Sequence, residues 1–330
     1  MHSSLIAWIL RAIPFGTIIM YGALGETMTE KSGNLNLGVP GIMYLGGFAG
    51  FASAWAYENT AANPSGAVSV VVALTCAILA SMAGGLIYAF LTISLRANQN
   101  VTGLALTTFG MGVANFFGVF ILNGASYSAA PIANKAFSAK IPVLSTLGGF
   151  GQVVFSYGFL VYAAIALAIA LHWFLTRTRA GLNLRAVGEN PATADAAGIN
   201  VTLYKYLATC IGAGICGIGG LYYVLDYNQG IWATTGQIEA LGWLAVALVI
   251  FTTWKPLNAI WGAYLFGMLY WLYQFLPTLL GITMASHITD LVQMLPYVVT
   301  IVVLIVVSMR KKKENQPPAH LGLAYFREER

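Results

Sequence analysis

Long apolar runs separated by short polar intervals dominate the pattern of this chain. The runs have roughly the 17 to 25 residues that an α-helix needs to cross a bilayer. They do not alternate polar and apolar residues over about ten positions, as the strands of a transmembrane barrel would. Nine spans are predicted, near residues 12–28, 35–57, 67–95, 102–123, 153–175, 201–225, 239–254, 257–276 and 290–309.

The composition agrees with this pattern. The mean hydropathy is +0.74, and 58% of the residues are hydrophobic but only 8% are charged. In soluble domains about a quarter of the residues are charged. We therefore predict one all-α, polytopic membrane bundle of about nine spans, with a broken helix near residues 33–41, rather than two soluble domains.

The basic residues predict the orientation of the bundle. Nine spans place the two ends of the chain on opposite sides, and cytoplasmic loops are enriched in Lys and Arg. With a cytoplasmic C-terminus, thirteen of the 16 Lys and Arg lie inside, and only Arg11, Lys135 and Lys140 lie outside. The first span is expected to start after Arg11, with residues 1–10 along the outer interface; the alternative is a cytoplasmic N-terminus with one re-entrant span.

One long polar interval, residues 176–200, carries several charges. Asn190, Pro191 and Gly198 have the residue types of an N-cap, a first helical residue and a C′ position. They predict a short helix from Pro191 to Ala197. A helix of about two turns does not persist alone, so it needs a surface on which to dock.

The start of the second predicted span is rich in glycine and amides. Asn34, Asn36, Gly38 and Gly41 lie beside Pro40, and a straight helix is not expected there. Backbone and amide groups released from a helix can replace the hydration of a solute, as in transporters. The segment is therefore a candidate solute pathway. The alternative is a helix N-terminus at the cytoplasmic surface, capped by Asn34 or Asn36.

A second set of polar residues lies in the fourth predicted span. Thr102, Gly103, Thr107, Thr108 and Asn115 are spaced so that several could share one helix face. They could line the same pathway. Equally, Ser and Thr side chains can hold membrane helices together without any role in transport.

Charged side chains are nearly absent from the middle of the spans. The acidic residues Glu26, Glu58, Asp226, Glu239 and Asp290 all fall near predicted span ends. Proton-coupled carriers usually keep carboxylates in the middle of the membrane, and anionic solutes would need basic counter-charges there. The pattern favours a neutral polar solute.

Several kinds of chemistry lack their sequence signals. The chain has no Gly-Lys dipeptide and so no phosphate-binding P-loop; any ATP must be bound by another subunit. Its three Cys and four His form no metal-binding motif, and neither a metal nor a cofactor is expected. The basic residues flank apolar runs instead of forming one face, which argues against a nucleic-acid partner.

Two stretches resemble a known family. Residues 25–41, which contain the run EKSGNLNLG, are similar to the opening signature of ABC importer permeases for nucleosides and simple sugars. Residues 177–201, RTRAGLNLRAVGENPATADAAGINV, resemble the cytoplasmic coupling loop of the same family. This family belongs to the superfamily of branched-chain amino acid and ribose permeases. The chain departs from its relatives at Pro40, where they more often carry an acidic residue.

The resemblance implies a permease domain at residues 1–310, with a coupling loop at 176–200, and a basic cytoplasmic tail at 311–330. A partner ATPase would grip the short helix, a related second permease would complete a heterodimer, and an extracytoplasmic lipoprotein of the basic membrane protein type would deliver the solute. The location implied is the bacterial inner membrane. The residues implied in coupling to the ATPase are Arg185, Gly188, Glu189, Asn190, Pro191, Ala194 and Gly198.

The expected function is thus a transport subunit of an ABC importer, not an enzyme, which moves a neutral polar solute, with nucleosides as the expected class. Two alternatives remain open. One is an ABC permease for simple sugars or branched-chain amino acids. For an amino acid, the helix N-terminus near Asn34 could hold the carboxylate. The other, from a different class, is a secondary carrier that needs no ATPase.

Overall fold

The structure, a computed structural model, describes residues 2–121, 128–140, 148–232, 236–281, 286–310 and 316–327. Helices form nearly all of its regular structure. In chain order they are α1 (His2–Glu30), α2 (Val39–Thr60), α3 (Gly66–Ala89), α4 (Gln99–Ile121), α5 (Pro131–Phe137), α6 (Gly148–Phe155), α7 (Phe159–Arg177), α8 (Arg179–Glu189), α9 (Pro191–Ala196), α10 (Val201–Tyr222), α11 (Gln237–Phe251), α12 (Pro256–Leu280), α13 (Ser286–Gln293) and α14 (Leu295–Arg310).

The predicted helical membrane bundle is confirmed, but the count of nine spans is not. A helix lies at each predicted span. Five segments of the described chain are long and apolar enough to cross a bilayer: Ser4–Glu30, Gly66–Ser94, Gln99–Phe120, Phe159–Arg177 and Val201–Tyr227. Two of these segments extend beyond an α-helix as a π-helical turn. Helix α3 continues through Phe90–Ser94, and α10 continues through Tyr223–Tyr227.

The first helix is longer than expected. The predicted separation of residues 1–10 from the first span is wrong, because α1 runs unbroken from His2 to Glu30. The indole Nε1 of Trp8 donates a hydrogen bond of 3.0 Å to the Met268 carbonyl on α12. The guanidinium of Arg11 lies 5.0 Å from the ring centre of Trp271 on the same helix. These contacts hold the N-terminal residues against α12.

Two predicted spans begin later than expected. The second starts at Val39 instead of residue 35, because residues 31–38 are not helical. The fifth starts at Phe159 instead of residue 153, and the shorter helix α6 precedes it. The break lies at Gly158, where a Cβ atom would overlap the carbonyl oxygen of Phe137. Close packing of the chain on α5 thus ends one helix and begins the next.

Helix α1 lies at the centre of the packing, with α10 and α12 against it, and α2 and α3 pack on α10. The approach of α1 to α10 is close enough to exclude side chains. A Cβ atom at Gly25 would overlap the Gly212 carbonyl oxygen, and one at Gly212 would lie 2.5 Å from the Gly25 carbonyl oxygen. Small residues at such crossings let membrane helices pack by dispersion contacts.

The end of the bundle remote from residues 176–200 carries a small ordered cap. Strand β1 (Ser128–Ala129) pairs antiparallel with β2 (Ile231–Trp232). Both carboxylate oxygens of Glu58, at the end of α2, accept backbone N–H groups of the first turn of α5, at 2.7 and 3.1 Å. A carboxylate there satisfies helix N–H groups that have no intrahelical partner.

The polar interval contains one helix more than predicted. Helix α8 precedes the expected short helix, and its N-cap is Thr178, whose Oγ1 accepts the N–H of Gly181 at 3.0 Å. Gly181, Leu184, Val187 and Gly188 form its buried face. Their spacing of three and four residues is typical of an amphipathic helix. The charged residues Arg179, Arg185 and Glu189 lie between and beside them, so the sequence did not indicate a helix here.

Candidate functional site

The connection between α1 and α2, residues 31–38, is irregular and yet buried. Backbone groups inside a membrane protein must find partners, and here buried side chains supply them. The N–H of Leu35 donates to Gln99 Oε1 at 2.7 Å, and the N–H of Asn36 donates to Glu26 Oε1 at 2.9 Å. The hydroxyl of Thr107 donates to the Leu37 carbonyl at 2.9 Å.

The two amides of this connection differ in how well they are satisfied. Asn36 Oδ1 accepts the N–H of Gly38 at 2.9 Å, which closes a local turn. Asn34 Nδ2 donates to Thr209 Oγ1 on α10 at 3.0 Å, but its Oδ1 is buried without a hydrogen-bond partner among the described residues. An unpaired buried acceptor is unfavourable in a resting protein and is available to a solute or a water molecule.

The polar residues of α4 do not share one face. Thr102 and Thr107 are buried on the side of the connection, whereas Thr108 is exposed and its hydroxyl donates to the Leu104 carbonyl of its own helix. Asn115 is half-buried, and its Oδ1 has no partner among the described residues. Thr102, Gly103 and Thr107 thus lie on the buried side of α4, whereas Thr108 and Asn115 lie off it, since successive residues of a helix are turned by about 100°.

The glycines of the candidate pathway are packing residues at a helix crossing. A Cβ atom at Gly41 would overlap the Leu106 carbonyl oxygen on α4, and one at Gly38 would lie 2.7 Å from Leu106 Cδ2. Helix α2 therefore approaches α4 too closely for any larger residue at these positions. The spacing of α2 and α4 depends directly on them.

A pair of buried carboxyl groups lies beside the connection, and the sequence did not predict that they are buried together. Glu26 and Glu30, one turn apart on α1, are 1% and 2% exposed. The indole Nε1 of Trp254 donates to Glu30 Oε2, and Glu26 Oε2 has no partner among the described residues. The sequence places Glu26 near the end of the first predicted span. The sequence does not indicate that Glu30 is buried, because Trp254, which donates to it, is 224 residues away along the chain.

The short helix α9 has the predicted caps. Asn190 Oδ1 accepts the N–H of Thr193 at 3.0 Å, and Pro191 is the first helical residue. The helix ends at Ala196, one residue before the predicted Ala197, and Gly198 follows with a φ of +83°. That left-handed conformation suits glycine because other residues are strained there.

The docking surface that α9 requires is partly supplied by the chain itself. Val187 of α8, Ala194 of α9 and Val201 of α10 form a small buried cluster, and Tyr204 and Tyr325 pack against it. The residues expected to couple to an ATPase divide accordingly. Arg185, Glu189, Asn190 and Gly198 are exposed, whereas Gly188, Pro191 and Ala194 are buried.

Gly188 joins this segment to the connection. A Cβ atom on Gly188 would overlap the Lys31 carbonyl oxygen and lie 3.2 Å from the Gly33 nitrogen. Burial, followed by the positive charge of Arg185, lowers the pKa of Lys31 to about 8. The two sequence stretches that resemble permease motifs thus touch at one point in the fold.

The C-terminal residues 316–327 strap this junction from outside. The N–H of His320 donates to the Gly188 carbonyl at 3.0 Å, and the N–H of Gly322 donates to the Gly33 carbonyl at 3.2 Å. The N–H of Ala319 donates to Glu189 Oε2 at 3.3 Å. Residues 311–315 of the predicted tail, which include Lys311, Lys312 and Lys313, lie outside the described residues. We call residues 316–327 the strap.

The described residues include no group of three or more His, Cys, Asp or Glu that could hold a metal ion. Their polar chemistry is instead that of neutral hydrogen-bonding groups and buried carboxyls around the connection. Such a set can bind polar solutes or transmit movement between helices.

Comparisons with known proteins point to the same family as the two stretches that resemble permease motifs. A family model described as "Branched-chain amino acid transport system / permease component" matches residues 8–306. The chain is 36% identical to a putative glucose ABC transporter permease protein of Haloferax volcanii over 258 residues, which are 77% of this chain and 72% of that protein. No solved structure matches the chain.

Two further relatives carry other names. A nucleoside ABC transporter permease protein of Lactococcus lactis is 30% identical over 292 residues, 88% of each chain. A guanosine ABC transporter permease protein of Bacillus subtilis is 33% identical over 253 residues, 74% of this chain and 75% of that protein. The similarity therefore extends over most of the length of each.

Proposed function

The chain belongs to the family of branched-chain amino acid transport system permease components, and from this premise we propose that it imports nucleosides as the membrane subunit of an ATP-driven transporter. The family match over residues 8–306 carries the proposal. Two relatives, named for nucleosides and for guanosine, support the choice of solute.

The partner that supplies ATP hydrolysis binds, in this proposal, to α9. Its exposed groups include Thr193 and the turn at Gly198, and Glu189 and Arg185 are exposed beside it. Because α9 already rests on Val187 and Val201, its other side remains available to an ATPase subunit. A helix held on one face and exposed on the other can be moved as a unit.

Movement of α9 reaches the membrane through Gly188. Since this residue is in direct contact with Lys31 and Gly33, a push on α8 and α9 displaces the connection that begins α2. The groups that would move are the amides of Asn34 and Asn36. These amides, together with Thr102 and Thr107, form the inner end of the pathway in our proposal.

A related second permease covers the exposed side of α4. Phe109, Phe116 and Phe120 are 50%, 65% and 71% exposed, and Thr108 and Asn115 lie on or beside that side. We place these two polar residues in the part of the pathway nearest to the second permease, and Gly38 and Gly41 in the part that the α2–α4 crossing encloses. A heterodimer would bring the pathway to the junction of two chains.

The solute is neutral in this proposal because the spans offer hydrogen-bonding and aromatic groups rather than basic ones. Amide and hydroxyl groups can bind a sugar or a base, and aromatic rings offer stacking surface. The glucose permease of Haloferax volcanii, at 36% identity, favours simple sugars as the second candidate. In either case an extracytoplasmic lipoprotein delivers the solute.

Uptake into proteoliposomes tests the solute. The chain is reconstituted with its ATPase, second permease and binding protein, and labelled guanosine and uridine are compared with labelled glucose. We expect ATP-dependent nucleoside uptake that excess unlabelled glucose does not reduce. ATP-dependent uptake of glucose alone would establish the second candidate, and uptake by this chain alone without ATP would establish a secondary carrier.

The location we propose is the bacterial inner membrane, with residues 176–200 and the strap in the cytoplasm. The strap, α9 and Lys31 lie at the same end of the bundle, since the strap bonds to both Gly188 and Gly33. Lys31, Arg185 and Arg327 lie at this end, which agrees with the enrichment of Lys and Arg on the cytoplasmic side.

A further inference from the structure

A cavity of about 430 Å³ lies beside α9 at the cytoplasmic end of the fold. Its walls come from three separate parts of the chain. These are residues between Thr92 and Gln99, residues from Asp195 of α9 to Lys205 of α10, and the strap residues Leu323, Ala324, Tyr325 and Arg327. Its volume lies within the range of small-molecule sites. The solute pathway proposed above does not use it.

Lys205 lines this cavity and is 3% exposed. Its ammonium group has no hydrogen bond and no salt bridge among the described residues; the salt bridge they contain joins Arg327 to Asp195. A buried cation is strongly unfavourable unless an opposite charge compensates it. The cavity wall therefore presents a largely buried positive charge that an anion in the cavity would compensate.

Two further features of the walls favour negative charge. Helix α10 begins at Val201 on the cavity wall, and Asn200 Oδ1 accepts only the N–H of Leu203, at 3.0 Å. The first turn of a helix attracts anions through its remaining N–H groups and its dipole. Arg96 is also on the wall and is exposed.

The acidic residue among the described residues of the wall, Asp195, is already paired within the wall. Asp195 Oδ2 accepts hydrogen bonds from Tyr325 OH at 3.0 Å and from Arg327 Nε at 3.1 Å. The wall thus has three basic residues, Arg96, Lys205 and Arg327, against one acidic residue that a strap arginine already neutralises.

We propose that this cavity is a binding site for a phosphate-bearing anion, with Lys205, Arg96 and the first turn of α10 as its ligands. A phosphate group matches this set because its oxygens accept charge-assisted bonds from ammonium, guanidinium and helix N–H groups together. The group can belong to a soluble phosphate compound or to the headgroup of an anionic phospholipid, since the cavity is at the end of membrane-crossing helices.

A small anion fits better than a carboxylate of the ATPase. The strap crosses the cavity, with Leu323 and Tyr325 in its wall, and Gln99 Nε2 donates to the Leu323 carbonyl at 3.3 Å. A side chain from another protein would have to pass the strap to reach Lys205. A bound anion would instead rest between α10 and the strap, and would hold the strap beside Asp195 of α9.

Thermal unfolding of the purified full chain tests the site. In detergent, inorganic phosphate is compared with chloride at equal ionic strength, and in nanodiscs a phosphatidylglycerol mixture is compared with pure phosphatidylcholine. The variants are Lys205→Met and Arg96→Gln. The control is Lys135→Met, which removes an exposed lysine from α5 at the opposite end of the fold.

We expect phosphate or phosphatidylglycerol to raise the unfolding temperature of the wild-type chain and of the control variant. The Lys205→Met variant should lose this shift while folding at least as well as wild type without anion, because the unpaired cation is gone. The Arg96→Gln variant, at an exposed position, should bind phosphate about tenfold more weakly.

A shift with phosphate in detergent identifies a soluble ligand, and a shift that requires phosphatidylglycerol identifies a lipid headgroup; both support the site. The proposal is overturned if neither anion shifts the wild-type chain. It is also overturned if Lys205→Met and Arg96→Gln keep the full shift, or if a Lys205-dependent shift needs the ATPase subunit. None of these results depends on which solute is transported.

Discussion

At the scale of single residues, the site depends on atoms that approach too closely for any side chain. Gly188 is the clearest case, because its Cα faces the backbone of Lys31 and Gly33. The same contact joins the exposed coupling segment to the buried start of α2. Small substitutions here should therefore affect transport more than their size suggests.

The Gly188→Ala variant tests this contact. The added methyl group must displace the connection, and overpacking of this kind costs about 1 to 3 kcal/mol. We expect ATP-dependent uptake by the assembled transporter to fall severalfold while ATP hydrolysis continues. The control is Gly66→Ala at the start of α3, at the other end of the bundle, where a Cβ atom would have no neighbour nearer than 3.2 Å. Equal uptake by both variants would contradict the role of Gly188.

The bond from Trp254 to Glu30 gives a second prediction at this scale. Trp254→Phe leaves a buried carboxylate oxygen without its donor, which costs about 1 to 3 kcal/mol. We expect a lower unfolding temperature for the purified chain. Trp173→Phe should leave it unchanged because Trp173 is 61% exposed. Equal effects of the two substitutions would show that the hydrogen bond contributes nothing.

At the scale of elements, local signals in the sequence predicted the helices well where one kind of signal dominated. Apolar runs located the long helices, and the residue types of Asn190, Pro191 and Gly198 gave the bounds of α9 to within one residue. Helix α8 was missed because its four buried residues are interleaved with charges. The burial of residues 31–38 was missed as well, since it depends on Gln99 and on the strap, which are distant in sequence.

The cap of α9 can be tested by removing it. Asn190→Ala deletes the acceptor for the N–H of Thr193, a loss of about 1 kcal/mol for a helix that is only six residues long. We expect ATP hydrolysis per molecule of solute imported to increase, because a frayed α9 transmits less movement. Asn100→Ala, at an exposed position on the first turn of α4, is the control and should leave this ratio unchanged.

The strap should respond to pH through His320. Burial, followed by the positive charge of Lys205, lowers the pKa of this imidazole below its ordinary value of 6.5. A released strap then binds more protons than a docked one, so docking is stable above the ordinary pKa and weakens as pH falls below it.

Hydrogen exchange measures this effect at the amides of His320 and Gly322, which donate to Gly188 and Gly33. Between about pH 7.5 and about pH 5.5, and after correction for the intrinsic exchange rate, we expect protection to decrease. The decrease should be absent in His320→Gln. Protection that rises toward acidic pH in the wild-type chain would contradict the assignment.

At the scale of the whole molecule, we propose that the bundle connects a solute pathway to an external source of energy. The described residues bring the two family-like stretches into contact, and the strap ties both of them together. The sequence indicated each stretch but not their contact, because nothing local to residues 31–38 or 176–200 encodes the position of the other. The chain acts, in this account, as the moving part of a transporter whose ATPase is another protein.

Thiol labelling with a membrane-impermeant reagent tests this account most directly. Thr193→Cys on α9 and Lys135→Cys on α5 are introduced singly into a chain whose Cys76, Cys210 and Cys216 are replaced. We predict that the cysteine at 193 reacts only from the cytoplasmic side and is protected when the ATPase subunit binds, while the one at 135 reacts only from outside. Labelling of position 193 from outside, or no protection by the ATPase, would contradict the account.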